Sequence, residues 1–318
     1  MTITIPCVDL KSATSSVSDS GIAKQLDEAL SSHGFCYIQG HGISEAEISQ
    51  IFEANHAFHR LAQHDKEAIA VNAFHRGYIG KGASKTVTST VATATHSNRS
   101  ESFMMMQSVS PDHGQWGSAI FGPNQWPESL GTHFRTQCWS YFKAMQTLAD
   151  ELTQRLAVAL GLRPDAFSHW FTEPTVFLRL LKYPAAATTD PHGEFGSAPH
   201  TDHGFLTLVA QDSTSGLQVQ GADGTWIPLP PVRNALVLNV ADMLSVISGR
   251  RWPSSPHRVV LNRSERYSTA FFYDPNFSAM IEPQVPSAAP AENEARIHYG
   301  EYLMARFAKN YRYRSEMA

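Results

Sequence analysis

The chain has 318 residues, 42% hydrophobic and 17% charged, so it can bury a sizeable core and is not a disordered tail. Its formal net charge of −4, with no basic block, sets aside nucleic acid and anionic membrane surfaces as partners. No run approaches the roughly 18 apolar residues of a membrane-spanning helix. The start, Met1-Thr2-Ile3-Thr4-Ile5-Pro6, lacks the basic-then-apolar order of a secretory signal, which makes a cytoplasmic protein the default expectation.

In chain order, residues 1–10 read as a short strand and 19–32 as a helix with Ile22, Leu26 and Leu30 on one side, ended by Gly34. Phe35-Cys36-Tyr37-Ile38 is a strand, and residues 44–62 form a second amphipathic helix with Ile48, Ile51, Phe52 and Phe58 inward. Residues 77–100 are rich in Gly, Ser, Thr and Ala and read as loop or edge strand; the glycine spacing fits no phosphate-binding loop. Glu101 to Met106 returns to strand, with Met104, Met105 and Met106 as a buried end. The longest helix is expected over 127–161, with Phe134, Cys138, Tyr141, Met145, Leu148, Leu152 and Leu156 at steps of three and four.

From Val176 the pattern turns to strands: 177–184, then 205–211, 216–220, 225–227, 235–240, 257–262 and 267–273, separated by turn residues. Such spacing suits an antiparallel sandwich or jelly roll. A Pro/Ala-rich connector follows Pro283, and a final helix is expected over 293–309 with Ile297, Leu303 and Phe307 inward. Cys7, Cys36 and Cys138 are odd in number and lack CxxC spacing, so they read as buried thiols of a reducing compartment. Most of the fifteen histidines, among them His56, His59, His64 and His75, read as surface or packing residues.

Chemistry concentrates in Ala198-Pro199-His200-Thr201-Asp202-His203-Gly204-Phe205. On an extended strand, His200 and Asp202 point to the same face. A third ligand is available as His257, in Ser254-Ser255-Pro256-His257-Arg258-Val259-Val260. Two histidines and one carboxylate on one face of a metal form the donor set of non-haem Fe(II) oxygenases. Downstream, Arg266 and Ser268 share a strand face, and a guanidinium beside a hydroxyl suits a carboxylate.

With these residues in place the chain resembles the Fe(II)/2-oxoglutarate-dependent dioxygenases of the isopenicillin N synthase-like family. The resemblance extends to Gly34-Phe35-Cys36-Tyr37-Ile38-Gln39-Gly40-His41-Gly42-Ile43, Arg76-Gly77-Tyr78 and Gly122-Pro123-Asn124-Gln125-Trp126-Pro127. It implies an α+β, mainly β fold: a double-stranded β-helix (jelly-roll) core flanked by N-terminal and C-terminal helices. One oxygenase domain would span 1–318, with a strand and helix layer over 1–165, the catalytic core over 170–280 and a C-terminal helix over 290–312. It also implies Fe(II) on His200, Asp202 and His257, and 2-oxoglutarate on Arg266, Ser268 and Tyr183, with O2 consumed and ascorbate as a stimulant. Leu181 stands where relatives often carry Asn, removing one polar contact.

The implied reaction hydroxylates or otherwise oxidises a small organic metabolite at a C–H bond, releasing succinate and CO2. Phe205, Leu217, Phe271 and Tyr273 are candidate substrate walls, and the loop after Tyr78 is a further candidate, since relatives use that region to line or cover the pocket. Glu294-Ala295-Arg296-Ile297-His298-Tyr299-Gly300-Glu301-Tyr302 is similar to bacterial ethylene-forming and fungal pyrimidine-hydroxylating relatives, but Ala83 and Ser84 replace the acidic residues of the former and argue against ethylene formation. The expected partner is a small-molecule substrate, with the chain a monomer or homodimer. Two alternatives stay open at this point: an oxidative cyclase or desaturase of the same fold that does not use 2-oxoglutarate, and a non-catalytic jelly roll that binds a metal or small acid.

Overall fold

A computed structural model describes residues 4–11, 20–84, 97–186, 194–286, 296–311 and 313. The expectations for residues 1–3, most of the loop after Ser84, part of the 185–197 loop, the 287–295 connector and Glu294-Ala295 lie outside the described residues. The N-terminal part runs β1 (Cys7–Asp9), α1 (Ser20–His33), β2 (Phe35–Gln39), α2 (Glu45–His59), α3 (Gln63–Glu67), β3 (Gly77–Ile79), β4 (Glu101–Met106) and α4 (Gly131–Ala159). It continues as β5 (Pro174–Tyr183), β6 (Ser197–His200), β7 (Leu206–Gln211), β8 (Leu217–Gln220), β9 (Trp226–Pro228) and β10 (Leu236–Val240). Then come α5 (Asp242–Ile247), β11 (His257–Val259), β12 (Arg266–Asn276), β13 (Met280–Ile281), β14 (Ile297–His298) and α6 (Tyr299–Asn310).

Eight strands form one sheet in the order β1-β2-β10-β7-β12-β5-β4-β3, and four form a second in the order β6-β11-β8-β9. Only the β1–β2 pair is parallel; the other pairs in these sheets are antiparallel. The jelly-roll expectation holds, with two sheets enclosing a core of Tyr37, Leu181 and Ala270 from the larger and Leu217, Val219 and Val259 from the smaller.

The larger sheet is covered on its other face by α1, α2 and α4. Alternation along β12 divides the environments. Thr269, Phe271 and Tyr273 meet α4 through Tyr141, Phe142 and Asp150, while Arg266, Ser268, Ala270 and Phe272 face the smaller sheet. The α4 stripe of Phe134, Cys138, Tyr141, Met145, Leu148, Leu152 and Leu156 is buried throughout, each large apolar side chain contributing about 1.5–3 kcal/mol. Gly34 ends α1 at a φ of 65°, where a Cβ would stand 2.0 Å from the Pro253 carbonyl oxygen, so only glycine fits. Ser44 and Glu47 form a reciprocal capping box that starts α2.

Several boundaries differ from the sequence reading. The long helix begins at Gly131 because Glu128–Leu130 form a tighter 3-10 turn. The second helix breaks after His59, and residues 63–67 form the separate α3. The last helix begins at Tyr299, and Ile297 belongs to β14. The helix α5 was not anticipated: Met243 to Ile247 are all buried, so the segment carries no polar face to betray its period. Cys7 is exposed, because edge strand β1 turns only Val8 inward; Cys36 and Cys138 are buried free thiols as expected.

A buried ion pair ties α3 to β4. Lys66 Nζ lies 2.8 Å from Glu101 Oε2, with the two side chains only 6% and 4% exposed, and Tyr78 Oη donates to the same oxygen at 2.7 Å. Lys66→Met strands the Glu101 charge and is expected to lower the unfolding free energy by about 3–5 kcal/mol, read from urea denaturation midpoints.

Candidate active site

His200 and His257 are 57 residues apart in sequence yet directly opposed in the antiparallel β6–β11 pair, with ring centroids 4.3 Å apart. Asp202 joins them from a turn, since β6 ends at His200; strand alternation does not deliver it. That turn is fixed from behind: the Asp242 amide donates to the Asp202 carbonyl at 2.9 Å and the Met243 amide to the Gly204 carbonyl at 2.8 Å. The unanticipated α5 thus holds the turn in place. One donor atom from each of His200, Asp202 and His257 lies within 4.8 Å of the others.

Hydrogen bonds orient these donors. His200 Nδ1 donates to the Ala198 carbonyl at 2.8 Å and His257 Nδ1 reaches the Ser255 carbonyl at 3.4 Å, which leaves each Nε2 as a free lone pair. The Nε2 atoms stand 3.7 and 3.8 Å from Asp202 Oδ1. Asp202 Oδ2 is occupied by Thr207 Oγ1 at 2.6 Å and Asn239 Nδ2 at 2.8 Å, so Oδ1 is the oxygen left for a metal. Burial pushes the His200 imidazole down to about 4, reinforced by His257, so it is neutral and able to ligate near pH 7. Burial alone would raise the Asp202 carboxyl, but His257, His200 and the two hydrogen bonds outweigh it and hold the group at about 2. A deprotonated, convergent two-imidazole and carboxylate set with outer partners in place fits a borderline divalent ion such as Fe(II).

A cavity of about 510 Å³ extends from the three donors to Tyr183, Arg266 and Ser268. Arg266 is 2% exposed and has no carboxylate partner among the described residues. Its guanidinium donates to Gln211 Oε1 at 2.9 Å and Ser268 Oγ at 3.3 Å, lies 4.9 Å from the Tyr183 ring centroid, and leaves Nε without a partner. A buried cation supplied only with neutral partners is costly unless an anion joins it. Leu181 lines this cavity and adds no polar group there; its carbonyl and that of Ser268 accept from Asn55 Nδ2.

A wider cavity, of about 750 Å³ of empty space including its open mouth, lies on the other side of His200 and Asp202. Of the candidate substrate walls, Leu217 lines the narrower cavity. Phe205, Phe271 and Tyr273 line neither cavity. Phe271 and Tyr273 take the helix-facing parity of β12, and Phe205 packs against Phe167 and Phe171. The walls are instead Phe177 and Arg179 of β5, Phe272 of β12, and Leu303 and Phe307 of α6. Alternation could have found three of these, since Phe177 and Arg179 share parity with Tyr183, and Phe272 with Arg266 and Ser268. His75, expected to be bland, is buried with a φ of 62°, lines this cavity and stacks on Phe307 at 3.9 Å. Ser84, from the loop expected to line the pocket, does so.

Asp274 links β12 to the Asp202 turn and to α6. Its Oδ1 accepts from the Phe205 amide at 2.9 Å and its Oδ2 from Tyr299 Oη at 2.6 Å. Gly204 permits this contact, because a Cβ there would stand 1.6 Å from Oδ1. Burial pushes the Asp274 carboxyl up to about 7 despite those two bonds. With the folded value above the unfolded one, the folded state binds the extra proton, and stability falls as pH rises through about 7. Thermal melts between pH 5.5 and 8.5 should show wild-type stability declining relative to Asp274→Asn; parallel curves would contradict this.

Comparison with known proteins converges on one family. Residues 174–275 match the 2OG-Fe(II) oxygenase superfamily, and residues 5–129 match the N-terminal region of non-haem dioxygenases in morphine synthesis. A homoarginine-6-hydroxylase of Glycine max is 32% identical over 91% of this chain and 89% of its own length. The 2-oxoglutarate-dependent dioxygenase caaD of Aspergillus niger is 31% identical over 98% and 96%. Among solved structures, a full-length Neurospora crassa protein in complex with alpha-KG and thymine superposes with a TM-score of 0.81 at 27% identity, covering 96% of each chain. No described helix is long and apolar enough to cross a membrane. The chain belongs to the 2OG-Fe(II) oxygenase superfamily, and it is a non-haem iron, 2-oxoglutarate-dependent dioxygenase.

Proposed function

We propose that His200, Asp202 and His257 hold the ferrous ion, that Arg266, Ser268 and Tyr183 bind the far carboxylate of 2-oxoglutarate, and that the wider cavity takes a small organic metabolite for C–H hydroxylation. The supporting observation is one cavity with the three metal donors at one side and a buried arginine without a carboxylate partner at the other. Residues 1–318 act here as one catalytic unit, since β4, β5, β12 and α6 all contribute walls around the metal donors.

The bound iron, with O2 and 2-oxoglutarate, supplies the oxidising chemistry, and the protein supplies orientation and a dry site. The Nδ1 hydrogen bonds of His200 and His257 fix the tautomer that presents Nε2. Thr207 and Asn239 hold Asp202 so that a single oxygen faces the metal position. Arg266 and Ser268, side by side on β12, form a donor pair for a carboxylate, with the Tyr183 ring packed beside the guanidinium. Phe177, Phe272, Leu303 and Phe307 give the wider cavity apolar walls that exclude water around a substrate.

The direct test is succinate formation from 2-oxoglutarate, dependent on Fe(II) and O2 and stimulated by the right metabolite. Asp202→Ala should reduce bound metal from about one ion per chain to under a tenth of that, measured by elemental analysis after loading and desalting. Arg266→Gln removes a charge-assisted anchor of about 1.5–3 kcal/mol and should weaken 2-oxoglutarate binding roughly 10- to 150-fold, with metal content unchanged. Retention of 2-oxoglutarate at wild-type affinity by Arg266→Gln would overturn the assignment.

A further inference from the structure

We infer that the substrate is a small carboxylic acid, and that Arg179 is the specificity-determining residue that binds its carboxylate. This rests on the metal and 2-oxoglutarate positions proposed above. Arg179 sits at the junction of the two cavities and lines both. Its Nε donates to Ser102 Oγ at 2.8 Å, which pins the guanidinium through one N–H. The terminal nitrogens have no hydrogen-bond partner, and no ion pair reaches this arginine, among the described residues.

Charge balance makes the assignment specific. Among the described residues, the carboxylates lining the two cavities are Asp202 and Asp274. One oxygen of Asp202 is taken by Thr207 and Asn239 and the other faces the metal position. Both oxygens of Asp274 are taken, by the Phe205 amide and Tyr299. When the site is loaded, the two cosubstrate carboxylates and Asp202 together offset the ferrous ion and Arg266, and Asp274, engaged by Phe205 and Tyr299, makes no ion pair with Arg179 among the described residues. The charge on Arg179 is then left over in a partly buried site, where an unpaired cation is disfavoured. A substrate carrying one negative charge completes the balance, and a planar guanidinium with a free edge suits a carboxylate's two oxygens. Phe177, Phe272, Leu303 and Phe307 give the remainder of the substrate apolar contacts, beside polar side chains such as Ser84, Asn98 and Asn310 in the same lining.

The test uses full-length protein loaded with Fe(II) and 2-oxoglutarate under anaerobic conditions, where binding proceeds without turnover. Equilibrium dialysis is run with aliphatic and aromatic monocarboxylates, each beside its primary amide and the corresponding amine. Retention of 2-oxoglutarate is measured in the same cells. The expected result is that acids are retained over their amides and amines by about tenfold or more, the size of one charge-assisted contact. Arg179→Gln should abolish that preference, Arg179→Lys should restore part of it, and 2-oxoglutarate retention should stay within about twofold. The inference is overturned if no acid is held better than its amide, or if Arg179→Gln keeps the preference. It is equally overturned if Arg179→Gln loses 2-oxoglutarate instead, since the arginine would then serve the cosubstrate. Failure of wild-type protein to retain 2-oxoglutarate would count against the underlying cosubstrate site, and is read separately from the acid and amide ratio.

Discussion

Side-chain alternation along β12 is the constraint from which the rest of the site follows. The eleven residues of this strand place Thr269, Phe271 and Tyr273 against α4, and Arg266, Ser268, Ala270 and Phe272 against the smaller sheet. A slip of one residue would exchange the two sets. It would drive the Arg266 guanidinium into the aromatic layer around Phe142 and turn Phe271 toward the metal donors. The register is secured on both sides, by the long antiparallel pairing with β5 and the shorter one with β7. The aromatic packing of Phe142 on Phe271 therefore also aims the arginine and the serine.

A second consequence concerns charge. The interior between the sheets is lined by Leu181, Leu217, Val219 and Val259, a setting in which an ionised group is stable only with a partner. Lys66 and Glu101, elsewhere in the core, satisfy that requirement with each other. Arg266 does not, and its neutral neighbours Gln211 and Ser268 hold it in place without neutralising it. Of the buried cations, Lys66 is thus closed within the fold and Arg266 is presented to the cavity. The first is paired within the fold, while the second, with Ser268 beside it, is the donor we propose for an anionic small molecule.

The sequence made much of this legible, and the failures have physical causes. His200, Asp202 and His257 could be picked out because their donor types form a recognised set, and the structure does bring them together. The strands of the core were readable because turn residues punctuate them. The stretch Met243 to Ile247 was not, because complete burial removes the polar face that marks a helical period. Phe271 and Tyr273 were offered as cavity walls on residue type alone, whereas parity with Arg266 excludes both and selects Phe272. His75 gave no signal, since its part in the cavity depends on stacking with Phe307, far away in the chain.

The Asp202 turn shows how distant segments combine to set one ligand. Its backbone is bonded to the start of α5 through Asp242 and Met243. Its far end is held by Asp274 through the Phe205 amide, and Asp274 in turn accepts from Tyr299 at the start of α6. Asp242 also accepts from Tyr302, one helical turn further along α6. Leu303 and Phe307 of that same helix wall the wider cavity. Two carboxylates therefore connect the helix that walls the wider cavity to the turn that presents Asp202. Each is reached by a tyrosine hydroxyl at 2.6 Å, so displacement of α6 cannot leave both anchors intact. The wall of the wider cavity and the Asp202 carboxylate consequently share one rigid mounting, which ties the shape of the cavity to the geometry of the three donors.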